Sequence, residues 1–84
     1  MHGTHPDIVR RLKKAEGHLR AIIGMIEAGR PCMQLAQQMQ AVESALSKAK
    51  KELIHDHIEH CLQGDTEQGT EAALREIKQL AKYL

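Results

Sequence analysis

The sequence predicts an all-α protein built around one long central helix, and three observations carry that prediction. Apolar residues recur at alternating steps of four and three along most of the chain, the spacing of one helix face. No Gly or Pro interrupts residues 32–63. Gly29 and Pro31 stand together where one helix would stop and the next begin.

The first helix is predicted over about 6–28. Ile8, Leu12, Ala15, Leu19, Ile22 and Ile26 supply its apolar face. Thr4 or His5 suits its N-cap, Pro6 its first turn, and Asp7 the positive end of its dipole. Gly29 is placed to close it in a left-handed cap. Gly17 and Gly24 lower its helix propensity, so they are expected to mark close packing of a neighbouring helix. The second helix is predicted over about 31–62, with Pro31 at its start. Leu35, Met39, Val42, Leu46, Ala49 and Leu53 repeat the spacing, and the face continues through Ile54 and Ile58 to Cys61 and Leu62. Gly64 is expected to end it, and Gly64-Asp65-Thr66 to form a short loop. A third helix over about 67–83 presents Ala73, Leu74, Ile77, Leu80, Ala81 and Leu84. No strand, repeat or linker is legible, so 1–84 reads as one domain.

A chain of 84 residues buries only about 60% of its unfolded surface, so a lone copy would be marginal. Phe and Trp are absent and Tyr83 is the only aromatic, which leaves an aliphatic core. A 32-residue helix is roughly 48 Å long and overhangs the first helix. A monomeric three-helix bundle would leave that overhang bare. An antiparallel helical dimer, or a dimer of dimers, would cover it.

The net charge of +1 conceals a segregated distribution. Arg10, Arg11, Lys13, Lys14 and Arg20 cluster in the first helix, and Lys48, Lys50 and Lys51 in the second. Asp56, Glu59, Asp65, Glu67, Glu71 and Glu76 gather later. Local basic clusters fit a polyanion even on a near-neutral chain. With no aromatic but Tyr83 to stack on bases, duplex DNA is the better partner than single strands. No secretory leader or membrane span is visible. The expected compartment is the cytoplasm, where two cysteines read as thiols or ligands before they read as a staple.

The chemistry concentrates in Ile54-His55-Asp56-His57-Ile58-Glu59-His60-Cys61. His57 and Cys61 are four apart and share a helix face. Cys32 lies at the other end of the same helix, roughly 43 Å away along the axis, so one chain cannot bring all three to one ion. In an antiparallel dimer Cys32 of one subunit meets His57 and Cys61 of the other, giving two equivalent interfacial sites. Two thiolates and one imidazole suit Cu(I); Zn(II) asks for a fourth donor, and Ni(II) or Co(II) for four or more. His2 and His5 are placed to add one, and His55 and His60 are further imidazoles. No nucleophile–base–orienter arrangement is legible, so an enzyme is not expected.

From Arg11 onward the chain resembles the CsoR/RcnR/FrmR family of metal- and stress-sensing repressors. The resemblance rests on Arg11-Leu12-Lys13-Lys14-Ala15-Glu16-Gly17-His18-Leu19, Arg30-Pro31-Cys32 and the Leu53–Cys61 segment. The spacing from Cys32 to His57 to Cys61, 25 and then 4, is similar to the copper-sensing branch. The resemblance implies a tetramer of two antiparallel dimers that binds operator DNA when metal-free and releases it on ligand binding. It implies Arg11 and Lys48 as the main DNA contacts, supported by Arg10, Lys14 and Lys51. It also places Glu76 where the copper branch has a Glu coupling the ligand histidine to the fold. The chain departs from that branch at Pro31, where a Tyr is common. Nickel-sensing relatives share the Pro-Cys pair and add an N-terminal His. Besides a copper-responsive repressor, the residues thus leave three readings open: a nickel, cobalt or zinc sensor using His5 or His2, a persulfide sensor joining Cys32 and Cys61 of opposite subunits, and a metal-buffering protein that binds no DNA.

Overall fold

The computed structural model describes residues 5–63 and 69–84. Three helices follow in order, α1 (His5–Glu27), α2 (Cys32–Leu62) and α3 (Thr70–Leu80), and a 3₁₀ turn (Ala81–Tyr83) closes the chain. The all-α class is as predicted, and no strand occurs among the described residues. No helix of the described residues is long and apolar enough to cross a membrane.

α1 opens at His5 with Pro6 and Asp7 in its first turn. His5 is thus the first helical residue rather than the cap, and the other cap candidate, Thr4, lies outside the described residues, as does His2. Gly29 ends α1 with φ of 72°, a conformation that needs no Cβ. Its N–H donates to the Ile26 carbonyl, and that of Arg30 to the Met25 carbonyl, both at 3.0 Å. This pair of bonds is a Schellman motif, which satisfies the last carbonyls and reverses the chain.

Pro31 differs from its predicted place by one position. It caps α2 rather than starting it, with φ −59° and ψ 143°. Its carbonyl accepts the N–H groups of Gln34 and Leu35 at 3.0 and 3.1 Å. Cys32 is therefore the first residue of α2. The predicted third helix is shorter at both ends. Gly69, extended at φ −68° and ψ 164°, caps it, so it begins at Thr70, and its last predicted turn tightens into the 3₁₀ turn. The predicted Gly64-Asp65-Thr66 loop lies outside the described residues.

The short connection makes α1 and α2 an antiparallel hairpin. Their polar pairs show the register: His5 faces Asp56, Arg11 faces Glu52, and His18 faces Gln38. Between them runs a seam of Ile8, Ala15 and Ile22 against Val42, Ala49 and Ile54. Two alanines at its centre keep the seam narrow. The α2 seam continues at the same seven-residue step from Val42 and Ala49 to Asp56, which is only 7% exposed. A carboxylate thus occupies the position where the pattern calls for an apolar side chain.

Only half of the predicted apolar face of α1, and less of that of α2, is buried. Leu12, Leu19 and Ile26 on α1, and Met39, Leu46 and Leu53 on α2, form second seven-step rows that stay 41–54% exposed. The radius of gyration is 17.2 Å, against about 12 Å for a compact domain of this length. The chain exposes 6482 Å², where roughly 5,000 Å² is usual for its mass. Gly17 and Gly24 also depart from expectation. A Cβ at either would meet nothing within 4 Å, because both lie on surface that α2 does not cover.

Candidate functional site

The carboxyl end of α2 gathers a set of metal-binding donors. His57 and Cys61 project from one face a turn apart, and α3 lays Glu76 against them. Donor atoms of His57, Cys61 and Glu76 all lie within 4.8 Å of one another. His57 Nε2 is 2.8 Å from Glu76 Oε1, and both side chains are about one-third exposed. Both cysteines are free thiols, Cys61 half-buried and Cys32 exposed. Cys32 does not join the cluster, since it begins α2 while Cys61 stands in its last turn. The helix between them is roughly 43 Å long.

A second layer of imidazoles surrounds Asp56. His5 Nε2 lies 3.7 Å from Asp56 Oδ2, and His60 Nε2 lies 3.5 Å from Oδ1. His5 also lines, with His57 and Glu76, a cavity of about 250 Å³ between the start of α1 and α3. It therefore borders the donor cluster without being part of it. His55 is exposed. Asp56 was not among the residues singled out from sequence. The signal was present in the step Val42, Ala49, Asp56, a core row ending on an acid.

The donor set constrains the chemistry. One thiolate, one imidazole and one carboxylate mix soft and hard ligands, a combination for borderline ions. Adding a second thiolate shifts preference toward Cu(I) or Zn(II). The His57–Glu76 contact allows two roles for the carboxylate. With the ion on Nδ1, Nε2–H donates to Glu76, which fixes the ring and raises its basicity. With the ion on Nε2, Glu76 is itself a ligand.

The basic residues fall farther along the hairpin. Arg11, Lys14, His18, Ser44 and Lys48 ring an alanine-floored groove of about 430 Å³ between α1 and α2. Lys48 also borders a neighbouring depression with Lys51. Arg10 joins neither, and its guanidinium pairs with Asp7 at 2.8 Å. His18 and Ser44 add hydrogen-bonding groups that charge counting alone passes over. Arg11 meets Glu52 at 2.6 Å across the two helices.

Comparison with known proteins gives the family. The profile of the family described as metal-sensitive transcriptional repressor matches residues 4–84. The chain belongs to that family. It is 36% identical over 76 residues to the copper-sensing transcriptional repressor CsoR of Mycobacterium ulcerans, covering 89% of this chain and 65% of that one. Against CsoR of Bacillus subtilis it is 35% identical over 80 residues, covering 89% and 79%. The chain thus spans just under two-thirds of the mycobacterial relative. Among solved structures, the nickel-responsive transcriptional regulator InrS superposes with a TM-score of 0.83 at 29% identity, covering all of this chain and 97% of that one. The family is one of regulators, not enzymes.

Proposed function

We propose that this protein is a Cu(I)-responsive repressor that binds operator DNA when metal-free and lets go when the ion binds between subunits. The observation that carries the reading is the clustering of His57, Cys61 and Glu76 at one end of α2, with the second thiol at the opposite end. In an antiparallel dimer, Cys32 of the partner subunit completes a two-sulfur, one-nitrogen set on His57 and Cys61. Such a set suits Cu(I), with Glu76 holding the far nitrogen of His57. The uncovered rows of α1 and α2 supply the apolar surface for that dimer and for a dimer of dimers. The CsoR names of the relatives point to the same ion.

The groove of Arg11, Lys14 and Lys48, with Lys51 beside it, is the proposed phosphate-contacting face. Arg10 flanks it as a lesser contributor. Drawing two subunits onto one ion changes how the grooves of the assembly are spaced, so coordination and DNA fit become linked. The cytoplasm is the compartment in which both tasks are performed.

A second reading, a nickel-responsive repressor, has its own support. His5 borders the cavity that His57 and Glu76 line, and InrS is nickel-responsive. There Glu76 or His5 would be a ligand, and Co(II) or Zn(II) would compete for the same set. Fluorescence anisotropy of a bound duplex, titrated anaerobically at fixed salt with Cu(I) or Ni(II), separates the two. The copper reading expects release at one Cu(I) per protomer and no release by equimolar Ni(II). Retention of DNA by the Cu(I)-saturated protein overturns it.

A further inference from the structure

The ion pair between Arg11 and Glu52 lies where the basic groove meets acidic surface. Arg11 forms one wall of the groove with Lys14, His18 and Lys48. Glu52 lines a depression on the other side, together with Asp56 and Glu59. Their 2.6 Å contact is the short, charge-assisted bond that a guanidinium also makes to phosphate. Both side chains are a little under half exposed, so DNA can reach the arginine. The Nη1 that Glu52 holds cannot donate along the same direction to a phosphate oxygen.

We propose that Glu52 is an internal phosphate mimic that holds Arg11 off the DNA and thereby sets the operator affinity. The inference rests on the reading of Arg11 as a phosphate contact. Binding then exchanges one anion for another at Arg11. When Arg11 moves to a phosphate, the DNA releases a counterion, but the freed Glu52 charge is left beside the DNA and draws cations back, so that contact adds less to the salt dependence than an unpaired arginine would. Without the Glu52 charge, the same contact releases a counterion uncompensated.

The exchange makes a prediction that a general loss of negative charge does not. The probe is a duplex selected by the wild-type protein from a randomised library, and its affinity is followed over a range of KCl concentrations. Glu52→Gln should tighten binding roughly two- to five-fold for each Arg11 engaged, the worth of an exposed pair. It should also steepen the slope of log affinity against log salt, with about 0.9 per Arg11 as the ceiling. In an Arg11→Ala background the same substitution should change neither quantity. Glu71→Gln, which removes a charge from the exposed first turn of α3 and outside the groove, should leave the slope at its wild-type value. If Arg11→Ala weakens binding but Glu52→Gln leaves the slope unchanged, the mimic is overturned and the DNA-binding reading stands. If Arg11→Ala binds as wild type does, the phosphate role of Arg11 falls and the mimic with it.

Discussion

The groove on the α1–α2 hairpin and the donor cluster at the carboxyl end of α2 differ in what they need in order to exist. Every wall of the groove comes from two helices of one chain, and its cationic groups stand in solvent already. The cluster brings His57, Cys61 and Glu76 together but leaves Cys32 at the opposite end of a 31-residue helix. A surface made within one chain is present at any concentration. A site that draws on two chains forms only when they associate, so it can report on their arrangement. The asymmetry supports the proposed reading, in which DNA binding is the resting condition and the metal site is the input.

The strongest way to break this comparison is to remove the assembly. Leu46 belongs to the uncovered row of α2 and is 41% exposed in the isolated chain. If a second copy covers the 41% that is still exposed, Leu46→Lys forfeits about 0.6–1.2 kcal/mol of interfacial burial per side chain and, at greater cost, puts a charge into an apolar seam. On the proposed inter-subunit site, the expected result is a species of monomer mass in sedimentation equilibrium that has lost tight Cu(I) binding, because that site needs Cys32 from a second copy. A variant that sediments with the wild type would show that this row faces solvent in the assembly too.

A smaller change sharpens the role of the carboxylate. Glu76→Gln keeps shape and removes charge from the contact 2.8 Å from His57 Nε2. Losing an outer partner of a metal-bound histidine typically lowers affinity about 10–100-fold. Competition against a chromogenic Cu(I) chelator should show a loss in that range, with the DNA affinity of the metal-free protein unchanged. A Cu(I) affinity within two-fold of wild type would mean that Glu76 does not orient the ring.

How much of this was legible in the sequence follows from the range of each interaction. The helices and the α1 stop at Gly29 are local, written in spacing and in one glycine's freedom at positive φ. The separation of Cys32 from Cys61 needs only the rise of a helix. What periodicity could not show was which half of each apolar face packs within the chain: Ile8, Ala15 and Ile22 are buried, while Leu12, Leu19 and Ile26 belong to the same stripe and are not. The Arg11–Glu52 pair was equally hidden. Its partners are 41 positions apart, and only the register of the hairpin brings them together. Glu76 entered through family resemblance. Its approach to His57 depends on where α3 begins, which Gly69 sets three residues later than spacing suggested.

The smallest expected effect tests the surface of α1 that α2 leaves open. Gly24 sits inside α1, and an added Cβ meets nothing within 4 Å in the chain. Gly in a helix interior is about 0.5–1 kcal/mol less favourable than Ala, partly through the unfolded chain. Gly24→Ala should therefore raise the unfolding free energy by about that amount per chain, seen as a Tm higher by a few degrees at matched protein concentration. The sign carries the information. A gain means that no second copy approaches the backbone at Gly24 closely enough to exclude a Cβ. A loss means that a second copy approaches α1 closely at Gly24, so that the glycine marks helix packing between chains rather than within one.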